Sequence, residues 1–209
     1  MELDQDSLLM LSVRDGDRQA FSTLFRRHAK PLHHFVCRFV GNASVAEELV
    51  QEIFFKIYRA ADKYQPRGRF TTFLYRVATN HCLNEVRRAD YRTRFESIEQ
   101  PGDNQDGGPM ELPDQHRPSA ENLLWGQRLG QEIQTILNKL PENQRAALLL
   151  HRMEDLSYQD IANTLELSVG AVKSLIHRAK KTLKQELETY ERRGECAEPG
   201  NVSVHANQP

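Results

Sequence analysis

One stretch of the sequence, from Ser157 to Lys184, carries residue types at spacings that suit DNA binding rather than catalysis. Ser157 and Asp160 form an S-x-x-D capping signal, which predicts a short helix that begins directly after the serine. Residues 166–167 then form a turn, and Ser168 can cap a second helix. A capped short helix, a tight turn and a longer helix, in this order, predict a helix-turn-helix.

The second predicted helix divides into an apolar arc and a polar arc. Residues expected to be buried recur at helical spacing, namely Val169, Val172, Ile176, Ala179 and Leu183. The polar arc carries small or polar side chains at its amino end and basic side chains further on: Ser168, Gly170, Lys173, Ser174, His177, Arg178, Lys181 and Lys184. A major groove admits such a helix, with early residues at base edges and later cations at phosphates. A basic helix that is merely solvated is the alternative.

A second basic stretch is predicted to form a helix from Arg69 to about Arg94. Six polar residues share one arc of this helix, and an aromatic residue lies on the border of the arc: Arg69, Thr72, Arg76, Asn80, Asn84, Arg87 and, on the border, Phe73. Arginines that follow a backbone, an exposed ring that stacks on a base and an amide that reads a base edge suit single-stranded DNA. The neighbouring arc of Phe70, Leu74 and Val77 is expected to be core.

The preceding helix is predicted to start at a capping box formed by Ser44 and Glu47. Its buried stripe is expected to be Leu49, Val50, Ile53, Phe54, Ile57 and Tyr58. The opposite face is acidic and carries Glu47, Glu48, Gln51 and Glu52. Such a face suits a basic partner helix, although glutamates that are simply solvated would give the same pattern.

The whole chain of 209 residues is helical in pattern, which predicts an all-α fold of two helical domains joined by a flexible acidic linker. We expect a first domain at 1–95, a linker at 96–118, a second domain at 119–190 and a disordered tail at 191–209. A first helix should carry Leu8, Leu9 and Leu11, and a second should be kinked at Pro31.

The formal net charge of −1 hides an uneven distribution. Residues 61–95 hold eight Lys and Arg against three carboxylates, a net charge of +5, and the helix at 168–184 is also +5. Residues 96–121 hold seven carboxylates against one arginine, a net charge of −6. Because attraction to phosphate acts over about 10 Å at moderate salt, two local basic surfaces matter more than the total charge.

Catalytic and metal-binding residues are not evident in the sequence. The three cysteines, Cys37, Cys82 and Cys196, have no paired spacing, so we expect a reduced, cytoplasmic protein without cofactor or metal. The acidic start MELDQDSLLML does not resemble a signal peptide, and no run is long enough for a membrane span. Neither the adjacent pair His33-His34 nor Cys196 with His205 has a partner set for zinc.

Three segments taken together resemble the extracytoplasmic-function (ECF) group of the bacterial sigma-70 family of RNA polymerase sigma factors. They are AEELVQEIFFKIYR, RFTTFLYRVATNHCLNEVRR and LPENQRAALLLHRMEDLSYQDIANTLELSVGAVKSLIHRAKKTL, the last two separated by a polar linker. The resemblance covers roughly residues 17–187. It implies a non-enzymatic, dissociable subunit that brings core RNA polymerase to promoters. It also implies an anti-sigma factor and a role in a stress or envelope response.

The resemblance assigns roles residue by residue. Glu47, Glu48, Gln51 and Glu52 match the segment that binds the β′ clamp helices, whereas the second domain would bind the β flap. The arc from Arg69 to Arg87 matches the segment that melts and reads the minus-10 element, with Asn80 at a base-contacting position. Lys173, Ser174 and Arg178 match positions that read the minus-35 element. This sequence departs from the family where Phe73 replaces a frequent Trp and Asn84 a frequent Asp, which affects strand separation and base preference.

Two other classes of protein are compatible with parts of the pattern. A stand-alone helix-turn-helix regulator would use the same reader helix, but the basic helix at Arg69 would then be unexplained. An enzyme with an accessory DNA-binding domain would need convergent acids, bases or ligands in the first hundred residues, and none is found.

No pattern in the sequence identifies the promoter sequence, the inducing signal, the anti-sigma factor or any role of the tail. The negatively charged linker is equally compatible with two roles: it could occupy a positively charged polymerase channel in place of nucleic acid, or it could be a plain flexible spacer.

Overall fold

The computed structural model describes residues 3–96, 120–152 and 156–192. These residues form α-helices and one 3₁₀ turn at Ala61–Lys63, and no strand occurs among them, so the predicted all-α fold is confirmed. The helices are α1 Gln5–Arg14, α2 Arg18–Val40, α3 Ala43–Arg59, α4 Phe70–Glu96, α5 Ala120–Lys139, α6 Glu142–His151, α7 Tyr158–Leu165 and α8 Val169–Arg192.

Asp4 ties the amino terminus of the chain to the start of α4. Its side chain caps α1 by accepting from the Ser7 amide at 3.0 Å, and it also accepts from the Phe70 amide at 3.2 Å. Burial acts to raise the pKa of Asp4, but these bonds and one from the Ser7 hydroxyl outweigh it and lower the pKa. A single carboxylate therefore fixes the relative position of two helices.

The buried face of α1 lies beside its leucines rather than on them. Ser7, Met10 and Val13 are buried. Leu8 is exposed, and Leu9 and Leu11 are half-buried. The helix docks along the 7–10–13 spacing because the Ser7 hydroxyl lies 3.2 Å from the buried Tyr64 hydroxyl. The three leucines lie on a helix as predicted, and Leu9 and Leu11 pack at the edge of the core.

A glycine ends α2 and an asparagine starts α3. Gly41 adopts a left-handed conformation with φ of 77°, and its amide donates to the Cys37 carbonyl at 2.9 Å. Asn42 then caps α3 by accepting from the Val45 amide at 3.0 Å. The predicted capping box at Ser44 was therefore wrong, because the helix already begins at Ala43. Helix α2 continues through Pro31, and the predicted kink stays a prediction.

The buried stripe of α3 matches the prediction except at its end. Leu49, Val50, Ile53, Phe54 and Ile57 are all buried. Tyr58 is exposed instead, and its ring meets the half-buried ring of Phe21 edge-on at 5.0 Å. Helix α3 lies against α2 and α4, which leaves its acidic face pointing away from the core.

The carboxyl-terminal helices pack α8 against α6 and α7. Pro141 precedes α6, in which Ala146, Ala147 and Leu150 are buried as predicted, while Leu149 is half-buried. Helix α8 extends to Arg192, two residues into the segment predicted as the tail. The linker from residue 97 onward, the start of α5 at Ser119 and the tail from residue 193 lie outside the described residues.

The helices of the first predicted domain, α1 to α4, share one core with helices of the second, α6 to α8. Buried residues of α6, α7 and α8, among them Leu150, Ile161 and Val172, belong to the same continuous apolar cluster as Phe39 and Leu74. Full burial of a side chain of this size stabilises a fold by about 1.5–3 kcal/mol. The contact between the two predicted domains is therefore part of the hydrophobic core of the described chain.

Candidate nucleic-acid interface

The helix-turn-helix forms through the predicted local signals. The Ser157 hydroxyl accepts from the Asp160 amide at 3.1 Å, and an Asp160 carboxylate oxygen accepts from the Ser157 amide at 3.0 Å. Glu166 ends α7 in a left-handed conformation with φ of 56°, which turns the chain sharply. The Ser168 hydroxyl then caps α8 by accepting from the Ala171 amide at 3.2 Å. The predicted capping box and cap are confirmed.

Helix α8 turns its apolar residues inward and its polar arc to solvent. Val172, Ile176 and Ala179 are buried, and Val169 and Leu183 are half-buried. All of the residues predicted to read the minus-35 element are exposed: Ser168, Gly170, Lys173, Ser174, His177, Arg178 and Lys181. Because α8 packs on α6 and α7 through its apolar residues, its exposed polar arc forms one basic surface.

Two aromatic rings support the cationic edge of α8 from α6 and α7. The His151 ring stacks on the Tyr158 ring with centroids 5.3 Å apart, and the Lys173 ammonium lies 5.7 Å from the centroid of the tyrosine. The Lys180 ammonium lies 3.0 Å from His151 Nε2. Burial, Lys180 and Arg152 lower the pKa of His151, which favours the neutral imidazole beside these cations.

The polar arc of α4 is only partly exposed. Arg69, Asn80, Asn84 and Arg87 are exposed, while Phe73 and Arg76 are half-buried and Thr72 is buried, with 7% of its surface exposed. The ring of Phe73 packs against Tyr64 at 5.4 Å and Phe70 at 6.3 Å, so it belongs to the edge of the core. The ring is therefore half-buried rather than fully exposed, and its stacking on a base stays a prediction.

The polar arc of α4 faces the carboxyl-terminal helices. The Thr72 hydroxyl donates to the Asp160 carboxylate at 3.1 Å, and Arg76 donates to the Asn163 carbonyl at 3.0 Å. Further along the helix, Arg87 pairs with Glu142 of α6 at 3.1 Å. Three residues predicted to bind the minus-10 element are therefore engaged with α6 and α7.

The acidic face of α3 is open. Glu47, Glu48, Gln51 and Glu52 are all exposed. One basic group on a neighbouring helix approaches it, namely His81 of α4, whose Nδ1 lies 3.9 Å from the Glu52 carboxylate. Burial and Lys56 lower the pKa of His81 more than Glu52 raises it, so this contact leaves the acidic face unneutralised.

Arg145 is a structural residue that the sequence reasoning missed. It is 6% exposed, and its guanidinium donates to the carbonyls of Phe39 at 2.7 Å and Asn138 at 2.8 Å. The apolar residues that follow it in α6 are a sequence signal for burial, but an arginine at this position could equally face solvent. Only the approach of the carboxyl end of α2 makes burial of the charge possible.

The described part of the chain offers neither a metal site nor a membrane span. No group of three or more His, Cys, Asp or Glu side chains there could hold a metal ion. None of the helices in residues 3–96, 120–152 and 156–192 combines the length and apolarity needed to cross a bilayer.

Comparison with known proteins places this geometry in a family. The profile for Sigma-70 region 2 matches residues 24–92, and the profile for Sigma-70 region 4 matches residues 130–183. The chain is similar to the ECF RNA polymerase sigma factor SigE of Mycolicibacterium smegmatis, with 37% identity over 175 residues, which are 82% of this chain and 64% of that relative. The chain thus spans less than two thirds of the length of that relative.

Two other similar proteins match over nearly their whole length. The ECF RNA polymerase sigma-E factor of Escherichia coli K12 is 31% identical over 191 residues, 90% of this chain and 97% of the relative. The fold is similar to that of the sigma factor RpoE in complex with the anti-sigma factor NepR from Bartonella quintana, with a TM-score of 0.63, 19% identity and coverage of 80% of this chain and 96% of that one. The chain belongs to the ECF group of RNA polymerase sigma factors.

Proposed function

We propose that this sigma factor directs core RNA polymerase to promoters by dividing three binding tasks among three surfaces. The acidic face of α3 binds polymerase, the polar arc of α4 binds the minus-10 element, and the polar arc of α8 binds the minus-35 element. The observation that carries the proposal is the arrangement of α8, in which the whole predicted reader arc is exposed on a buried scaffold. No step requires a catalytic group, because melting follows from tighter binding of separated strands than of paired strands.

The acidic face of α3 suits a basic partner helix. Glu47, Glu48, Gln51 and Glu52 lie side by side in solvent, and charges of one sign on a rigid helix give specificity and a fast approach rather than large affinity. The proposed partner is the β′ clamp helices of core polymerase, with the β flap as partner of the carboxyl-terminal helices. A cytoplasmic location follows from a polymerase partner.

The reader arc of α8 offers both base-reading and phosphate-binding groups. Lys173, Ser174 and Arg178 are spaced four or five residues apart at most, so they follow one groove of the duplex. Arg178 has the planar fork that binds guanine with two hydrogen bonds, whereas Lys173 has only a point charge. We therefore assign more sequence discrimination to Arg178 than to Lys173.

An anti-sigma factor is also part of the proposal. The related fold of RpoE was solved with such a partner, NepR. A stress or envelope response would follow if an anti-sigma factor released this chain on demand. The alternative of a stand-alone regulator predicts DNA binding without polymerase.

A titration of labelled protein with purified bacterial core RNA polymerase tests the proposed function directly. We expect saturable binding, at a salt concentration that suppresses nonspecific ion pairing, that the housekeeping sigma factor competes away. A folded protein that binds duplex DNA but not core polymerase would support the regulator instead. Turnover of any substrate would support an enzyme.

Replacing Arg178 with alanine tests the minus-35 assignment. We expect a loss of about 1–3 kcal/mol in binding free energy that is confined to promoters with the preferred base. The matched control is Arg192→Ala, because Arg192 is exposed at the far end of the same helix. An unchanged promoter profile for Arg178→Ala in a sequencing-based transcription assay would reject the assignment.

Replacing Asn80 with alanine tests the minus-10 assignment. Because Asn80 is exposed and lies on the open part of the α4 arc, we expect impaired selectivity for minus-10 bases with unchanged binding to core polymerase. Open-complex formation on a panel of minus-10 variants measures the first quantity, and the core titration measures the second. Loss of core binding would place Asn80 in the fold instead of the DNA site.

A further inference from the structure

Lys180 lies at the edge of the reader helix α8, outside the polar arc that the sequence predicts. It follows Lys173 by seven residues, which is about two turns or about 10.5 Å along α8, so the two side chains differ by only about 20° around the axis. Both lysines are exposed. Their ammonium groups therefore line one side of α8, next to His151 of α6 and Tyr158 of α7.

The acceptor that holds the Lys180 ammonium is an imidazole. Lys180 Nζ lies 3.0 Å from His151 Nε2, which accepts a hydrogen bond only when the ring is neutral and carries its proton on Nδ1. Burial and the nearby cations favour that neutral form, because they lower the pKa of His151. A neutral acceptor fixes the position of the ammonium without cancelling its charge. One bond uses one of the three N–H donors of an ammonium, and the other two can bind a further acceptor.

Carboxylates further along α8 are engaged with other lysines. Glu186 pairs with Lys139 of α5 at 2.8 Å, and Glu188 lies 3.7 Å from Lys184. These two acidic side chains therefore compensate other cations. An anion that approaches the edge of α8 meets Lys180 with its positive charge still available.

An aromatic stack supports the imidazole from below. The rings of His151 and Tyr158 lie 5.3 Å apart with an angle of 24° between their planes, and the Lys173 ammonium lies 5.7 Å from the tyrosine centroid. Tyr158 is the first residue of α7, where the Ser157 cap fixes the backbone. A long lysine side chain loses rotamer freedom when it binds, and it loses less when it is ordered in advance. The stack thus prepares both lysines to bind an anion.

We propose that Lys180 binds a backbone phosphate beside the minus-35 element and that His151, supported by Tyr158, positions its ammonium. The inference rests on the proposed function, because it takes the neighbouring arc of α8 as the surface that reads this element. A DNA strand is the source of the anion, since every base edge that Arg178 can reach is flanked by phosphates of the same duplex. Lys180 then adds affinity that is independent of base sequence, whereas Arg178 supplies discrimination.

The salt dependence of duplex binding tests the role of Lys180 in the full-length chain. Affinity for a short fluorescein-labelled duplex is measured by fluorescence anisotropy between about 0.05 and 0.3 M salt. Each phosphate contact adds about 0.9 to the slope of log affinity against log salt, which is a factor of about eight at about 0.1 M. Lys180→Gln should therefore bind about three- to eight-fold more weakly there and lower the slope by about 0.9, equally on duplexes of unrelated sequence. Lys30→Gln is the matched control, since it removes the same charge from an exposed position on α2.

A double-mutant cycle tests the positioning role of His151. His151→Phe keeps a ring that can stack on Tyr158 but removes the acceptor, so it should weaken duplex binding about two- to three-fold. In the Lys180→Gln background the same substitution should have no further effect, because His151 acts through Lys180. His151→Gln should restore most of the affinity, since its side-chain carbonyl can accept from the ammonium.

Four results would overturn the proposal. They are a slope for Lys180→Gln that changes no more than that of Lys30→Gln, an equal loss for His151→Phe in both backgrounds, a His151→Gln variant as weak as His151→Phe, or no duplex binding by the wild-type chain. The titration with core polymerase is run on the same samples. Normal polymerase binding by the wild-type chain would leave the proposed function standing while the phosphate site fails, whereas absent polymerase binding by that chain would reject the proposed function itself.

Discussion

Replacing Arg145 with methionine should destabilise the chain strongly, because the buried guanidinium donates hydrogen bonds to several backbone carbonyls. Its two short bonds go to Phe39 and Asn138, a third contact goes to the Leu140 carbonyl at 3.5 Å, and the charge lies 5.8 Å from the Phe39 ring centroid. Methionine keeps most of the apolar stem, so the variant removes mainly the charged donors. The perturbation is therefore close to a pure deletion of hydrogen bonds.

The expected magnitude follows from the bonds that are lost. A hydrogen bond to a charged group contributes about 1.5–3 kcal/mol net, and some of the loss is offset because a charge no longer has to be buried. We expect the free energy of unfolding to fall by about 2–4 kcal/mol. For a chain of this length each kcal/mol corresponds to about 2–4 °C in Tm, so the midpoint should fall by roughly 5–15 °C.

Urea unfolding followed by circular dichroism measures this loss, and two other variants calibrate it. Arg145→Lys should fall between wild type and Arg145→Met, because one ammonium cannot reach all the carbonyls that the two terminal nitrogens of the guanidinium contact. Arg152→Met is the control, since Arg152 is exposed in the same segment and should change stability by less than about 0.5 kcal/mol. If Arg145→Met costs no more than this control, the reasoning about the buried guanidinium is refuted.

Two further predictions concern stability. Ser157→Ala should lower the free energy of unfolding by about 1 kcal/mol, because it removes the cap of α7. Ser157→Asp should restore most of this loss in the same urea assay, since aspartate also caps helices. No loss for the alanine variant would contradict the role of the capping box. The lowered pKa of His81 means that the folded chain resists protonation there, so stability is fully present above the unfolded pKa of about 6.5 and falls as the pH drops below it. His81→Gln should flatten the dependence of the free energy of unfolding on pH between about 7 and 5, and an unchanged slope would show that this histidine does not contribute.

Local sequence patterns were sufficient for most helices and for the reader helix. The capping box at Ser157, the cap at Ser168 and the apolar spacing of α8 involve residues within a few positions of each other, so the sequence states them directly. The same holds for the buried stripe of α3. Errors arose where two local choices were equally good, as at the start of α3, where Asn42 caps the helix in place of Ser44.

Tertiary structure alone decided which helix covers each face. A spacing of 3.6 residues shows that a helix has two faces, but it does not show which distant segment packs on either one. Thr72, which belongs to an arc that the sequence predicts as open, is therefore buried beneath α7, and Phe73, on the border of that arc, is half-buried against Tyr64.

The sequence by itself thus determined the helices, their polar and apolar arcs and the resemblance to the ECF sigma factors. The closed contact between α4 and α7, and the burial of Arg145 at the carboxyl end of α2, were determined only by the folded chain. The physical reason is separation along the chain: these contacts join residues 88 and 106 positions apart, and their formation depends on the whole shared core rather than on any local signal.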